Sequence, residues 1–147
     1  VKFDDASWHY GGEFPEDLDD EAGATHTGMF LAWCLLNDLG EPEEFLASEV
    51  AQLRERAITP GAFFLFFSDG KLVSSSLSEV GNAFTIAYYE GRRDSLPFVA
   101  DYAAALGAAE DDVYRIPDTW ATYDVVAPVI SERYATWIAR GKPGYLG

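Results

Sequence analysis

Gly28-Met29-Phe30-Leu31-Ala32-Trp33-Cys34-Leu35-Leu36 is an uninterrupted apolar run, fenced by His26-Thr27 before it and Asn37-Asp38 after it. A helix at a protein surface keeps a polar stripe. This run has none, so it reads as a buried central helix that the rest of the chain must cover on every side. A membrane-spanning helix needs about 20 predominantly apolar residues, so the covering material is protein rather than lipid. Thr25 or Thr27 is placed to cap the start of this helix with a hydroxyl, and Gly40 to end it.

Outward from that run, the chain reads as a series of packing partners. Glu41-Pro42-Glu43-Glu44 has the composition of a first helical turn, and Leu46, Val50, Leu53 and Ala57 follow at amphipathic spacing. Thr59-Pro60 signals another helix start. The segment 62–73 admits two readings: a short helix over Ala62-Phe63-Phe64-Leu65-Phe66-Phe67, which is preferred, or a hairpin turned at Asp69-Gly70 with Lys71-Leu72-Val73 returning as a strand. Ser76-Leu77-Ser78-Glu79 has the form of a capping box ahead of Val80, Phe84, Ala87 and Tyr88. Ser95 and Asp118 stand as caps of two further helices. The second of these carries its stripe from Trp120 to Trp137 through Pro128, where a kink is expected.

The opening residues behave differently. Phe3, Trp8, Tyr10 and Phe14 are spaced too irregularly for a helix, and Gly11-Gly12 and Pro15 break any regular element. They predict an ordered loop pinned across the body by its rings. The fold expected is therefore all-α: a single domain over residues 1–147, with five or six helices around the central one and an N-terminal loop laid on top.

Ten basic against twenty-five acidic residues give a net charge of −15. Such a field repels nucleic acid and anionic lipid and attracts basic proteins or metal cations. The lone Cys34 lies inside the apolar run, so it reads as core and no disulfide is expected. The first residues carry no apolar signal region, and the expected location is the cytoplasm.

No motif names a reaction. His9 and His26 are the only histidines, the first near Asp4, Asp5 and Glu13 and the second near Glu21. They do not show the helical or loop spacing of a transition-metal site, and Ser7 beside His9 is weak support for a nucleophile. No catalytic residue, metal ligand or cofactor is assigned. The alternative kept is a small metal-dependent hydrolase or metal-binding protein using His9, His26 and the nearby carboxylates Asp4 and Asp5. The preferred reading is a non-catalytic protein-binding surface, because aromatic anchors ringed by acids are common in interfaces. Its residues are Asp4, Asp5, Trp8, His9, Tyr10, Glu13, Glu16 and Asp17.

Four segments together resemble an uncharacterised family of small acidic bacterial proteins. They are Asp4-Asp5-Ala6-Ser7-Trp8-His9-Tyr10-Gly11-Gly12, Gly23-Ala24-Thr25-His26 with Gly28-Met29-Phe30-Leu31-Ala32-Trp33, Glu79-Val80-Gly81-Asn82-Ala83-Phe84 with Tyr88-Tyr89, and Asp118-Thr119-Trp120 with Tyr123-Asp124. The resemblance carries no catalytic assignment. In size and charge it is similar to immunity proteins, which block a companion toxin by direct contact, and with a net charge of −15 the expected partner is a basic toxin.

Overall fold

The computed structural model describes all residues, Val1–Gly147. The apolar run forms α2 (Thr25–Leu36), and every residue from Thr25 to Leu35 is buried. Around it lie α1 (Ala6–Tyr10), α3 (Ala47–Arg54), α4 (Pro60–Phe67), α5 (Glu79–Phe84), α6 (Pro97–Ala105) and α7 (Trp120–Ala139). Two short strands, β1 (Lys2–Asp5) and β2 (Lys71–Val73), pair antiparallel. The architecture is all-α with this small ribbon at its edge. Its apolar residues form one connected core of 30 buried side chains. No helix is long and apolar enough to cross a membrane.

The helix α2 packs most extensively against α4, and glycine sets how close they come. A Cβ on Gly28 would stand 2.7 Å from the Pro60 carbonyl oxygen and 2.8 Å from the Gly61 Cα, so the two backbones are in direct contact. Gly28→Ala must therefore push one helix off the other. The expected cost is about 1–3 kcal/mol, toward the upper end because backbone rather than a flexible side chain has to yield. A urea midpoint lowered at unchanged slope is the measurement that checks it.

Several local expectations are corrected. The opening residues are not an irregular loop: β1 runs directly into α1, whose N-cap is Asp5, and irregular chain begins only at Gly11. Neither Thr25 nor Thr27 caps α2, because a 3-10 turn over Asp20–Ala24 feeds straight into it. The helix stops at Asn37, three residues before Gly40, and Asp38 takes the left-handed conformation with φ of 60°. The acidic turn at Glu41–Glu44 stays outside α3. Leu46 is two-thirds exposed, which leaves Leu53 as the one fully buried side chain of that helix.

Both readings of 62–73 are partly realised. The helix runs to Phe67, then Asp69 and Gly70 take positive φ and turn the chain into β2. The partner of β2 is β1, in the register Lys2↔Val73, Asp4↔Leu72 and Asp5↔Lys71, with an irregularity between Lys2 and Asp4. Ser78 caps α5 by accepting the Gly81 N–H at 3.1 Å, and Thr119 caps α7. Asp118 instead serves α4, accepting from Thr59 Oγ1 at 2.6 Å and the Gly61 N–H at 2.8 Å. Its carboxylate occupies the space a side chain on Gly61 would need. The helix α7 runs unbroken through Pro128.

After α5 the chain widens into a π-helical stretch over Thr85–Glu90, ending at Gly91 with φ of 60°. Such wide turns often mark functional sites, because they alter which side chains face inward. Here Tyr88 and Tyr89, adjacent in sequence, are both buried.

Candidate functional site

Polar side chains from five parts of the fold meet beneath the opening segment, and Asp4 is their hub. Alternation along β1 turns Asp4 toward α2, where its Oδ1 accepts from the Asp5 N–H at 2.8 Å and faces His9 Nε2 at 2.7 Å. Its Oδ2 accepts from the Tyr89 hydroxyl at 2.5 Å and from Thr27 Oγ1 at 3.2 Å. Thr27 also stands 2.8 Å from the Tyr89 hydroxyl, and His26 Nε2 lies 3.8 Å from Oδ2. The single helical turn of α1 swings His9 back over β1. Its other nitrogen, Nδ1, meets the Tyr114 hydroxyl at 2.6 Å.

Electrostatics follows from burial opposed by hydrogen bonding. Burial works to raise the Asp4 carboxyl, but the hydrogen bond and charge of His9, the nearby His26 and the Tyr89 hydroxyl outweigh it, so the group is held below its usual value. As an anion Asp4 can only accept, so the His9 Nε2–H donates to it, and Nδ1 of the same ring pairs with the Tyr114 hydroxyl. Burial beside Asp4 drives the Tyr89 phenol well up, so it stays a donor. Burial pulls His26 down to about 4, with His9 adding to the effect and Asp4 opposing it. Next to the hub, burial acts to raise Asp5, and hydrogen bonds from Lys2 and Ser7 reverse this and bring it to about 2.

The His26 shift has a consequence for stability. Its folded value lies below the 6.5 of an unfolded histidine, so the unfolded chain takes up the proton first as pH falls. Stability is fully present above about 6.5 and is lost toward 4. Between pH 7 and pH 5 the unfolding free energy should drop by about 2 kcal/mol. That interval lies above the values of the lowered carboxyls Asp4 and Asp5, so their protonation adds little to the loss. Urea unfolding at pH 7, 6 and 5 in the presence of a chelator measures it.

The sequence-expected partner residues divide into two sets. Asp4 and Asp5 are both buried, which corrects their reading as surface charges: Asp5 accepts from Lys2 Nζ at 2.7 Å and from the Ser7 hydroxyl and N–H at 2.7 and 2.9 Å. Ser7 is thereby directed to Asp5 and not to His9. His9 is part-buried in the network. Trp8 and Tyr10 face outward at 54% and 39% exposure, with Lys2 Nζ over the Trp8 ring at 4.9 Å. Glu13, Glu16 and Asp17 are exposed, and Asp17 is bound by both guanidinium nitrogens of Arg115 at 2.8 and 3.0 Å.

Sequence reasoning did not place Thr27, Tyr89 or Tyr114 beside Asp4 and His9. The available signals were a hydroxyl inside an otherwise apolar helix and two consecutive tyrosines that an ordinary helix would not bury together. Tyr114 also lines a cleft of about 490 Å³ between the 3-10 turn, α4 and the Tyr114–Asp118 segment. Leu18, Leu65 and Phe66 give it apolar walls. Asp19 and Glu21 line it too, and neither they nor Asp20 has an ion-pair partner. One donor each from Asp4, His9 and His26 falls within 4.8 Å of the others, so these three are the residues able to share a metal ion. Cys34 is not among them: it is buried and its thiol is pushed far up by burial.

The chain belongs to the family described as Domain of unknown function (DUF7832), whose model matches residues 2–116. That span holds every member of the Asp4 network. No curated protein and no solved structure matches the chain.

Proposed function

We propose that this member of the family is a non-catalytic binding protein of the bacterial cytoplasm, an immunity protein that neutralises a cognate basic toxin by direct contact. The observation that carries the reading is the outer face of the opening segment. Trp8 and Tyr10 are held outward on a turn anchored from beneath, among the exposed carboxylates of Glu13 and Glu16. Large, partly apolar rings on a rigid base make good interface anchors, since little freedom is lost when a partner covers them. The −15 net charge supplies the steering, accelerating encounter with a cationic partner. Toxins that hold nucleic acid present such surfaces.

The test uses the protein encoded by the neighbouring gene. Co-expression should protect cells from it, the two should co-purify, and association should slow as salt rises. Trp8→Ala should weaken the complex by about tenfold or more while leaving the fold intact. Absence of binding and protection would remove the immunity reading for that pair. Salt-insensitive association would remove its electrostatic part.

A further inference from the structure

We infer that Asp4, His9 and His26 form a binding site for one divalent transition-metal ion. The three donors come from β1, α1 and α2, so the site exists only in the folded chain and rests on regular elements rather than loops. Their ligand atoms lie within 4.8 Å of one another, against about 3.5 Å between tetrahedral ligands with bonds of about 2.0–2.2 Å, so side-chain movements of about 1 Å bring all three onto one ion. Two imidazole nitrogens and one carboxylate oxygen select zinc, cobalt, nickel or ferrous iron over calcium and magnesium, which take oxygen donors. Three protein donors leave a further coordination position for water.

A second observation, independent of the clustering, is how poorly His26 is satisfied. Its side chain is 4% exposed. Its Nδ1 has no hydrogen-bond partner, and its Nε2 reaches only Thr27 Oγ1 at 3.4 Å. Buried polar atoms are nearly always paired, and one that is not calls for an explanation. The nitrogen next to Asp4 is Nε2, 3.8 Å from Oδ2 and too far to hydrogen-bond it, so its lone pair is available to a cation shared with Asp4 and His9, whose ring lies edge-on at 4.5 Å between centroids.

The surrounding shell fits the same purpose. Metal-binding histidines are oriented by a hydrogen bond from the other ring nitrogen, and His9 has that bond to the Tyr114 hydroxyl. A hydroxyl both donates and accepts. When Nε2 of His9 takes the metal, its proton moves to Nδ1 and the Tyr114 hydroxyl turns from donor to acceptor. Tyr89 and Thr27 keep donating to Asp4 Oδ2 and fix the carboxylate. Tyr114 lines the open cleft, and His9 is 21% exposed, which gives the ion a way in. The site is independent of the partner-binding reading, and neither requires the other.

The test is titration of chelator-treated full-length protein with Zn²⁺ and Co²⁺, followed by competition with a chromophoric chelator and by the Co²⁺ absorption spectrum. One equivalent should bind, with magnesium and calcium unable to displace it. That separates the site from the exposed carboxylates, which would take several ions weakly. Tyr114→Phe should weaken zinc by about 10–100-fold through loss of the orienting hydroxyl. His9→Gln and His26→Gln should each weaken it more than Tyr114→Phe does. Since His26→Gln alters a buried position, the histidine ring ¹⁵N shifts of the unmutated protein provide a measurement that needs no variant, and both rings should move on adding zinc. Absence of one-equivalent binding, undiminished affinity in folded His9→Gln, or unmoved ring shifts would overturn the inference.

Discussion

Asp4→Ala should lower the unfolding free energy by about 3–5 kcal/mol, although it removes one small side chain near the N-terminus. Two effects compete. Deleting a buried carboxylate relieves the cost of keeping it from water, and replacing a whole buried polar group set by apolar residues is often neutral. Deleting only the acceptor leaves its donors behind, and here four converge: the Asp5 N–H, His9, Thr27 and Tyr89. Each buried donor left unpaired costs about 1–3 kcal/mol, so the loss of partners wins. Asp4→Asn should cost less, because its amide oxygen still accepts. Glu16→Ala, at an exposed acid ten or so residues on, should stay within about 0.5 kcal/mol. Urea unfolding of the three variants at pH 7 gives the comparison.

Trp33→Ala should be equally severe at the other end of the core. The side chain is 2% exposed, its ring lies 5.6 Å from both Phe84 and Tyr134, and its indole N–H donates to Ser131 Oγ at 3.0 Å. Truncating a large buried aromatic costs about 3–5 kcal/mol, a large share of the roughly 5–15 kcal/mol that holds a domain together. The variant should lose near-UV signal and melt at much lower temperature. Trp8→Ala removes the same side chain from a position 54% exposed and should barely change the melt. A near-normal melt for Trp33→Ala would mean that α2 is not the centre of the core.

The central helix was legible because the feature that identifies it, an apolar run with no polar face, is local. The same holds for the start of α4 at Thr59-Pro60 and the apolar stripe of α7. What escaped depends on distant partners. The irregular aromatics of residues 3–14 suggested a loop because nothing nearby shows that Lys71–Val73 will pair with β1. Asp4 and Asp5 looked like surface charges because a carboxylate is buried only when donors are brought to it, and Tyr89 arrives from 85 positions away. Asp118 looked like the cap of its own helix and instead caps α4, 57 positions earlier in the chain at Gly61. The histidines stood out from the start, yet their shared partner is Asp4, while Glu21, five residues before His26, is exposed to solvent.

Central to the fold and the site alike is a polar network under the opening segment, which turns Asp4, His9 and His26 inward and leaves Trp8 and Tyr10 outside. A long-range ¹H–¹⁵N spectrum of the imidazole rings, recorded through a pH titration of the metal-free protein, observes that network without any substitution. His26 should remain neutral from pH 7 down to about 4. A His26 ring that protonates with a midpoint near 6.5, as a solvated histidine does, would contradict it.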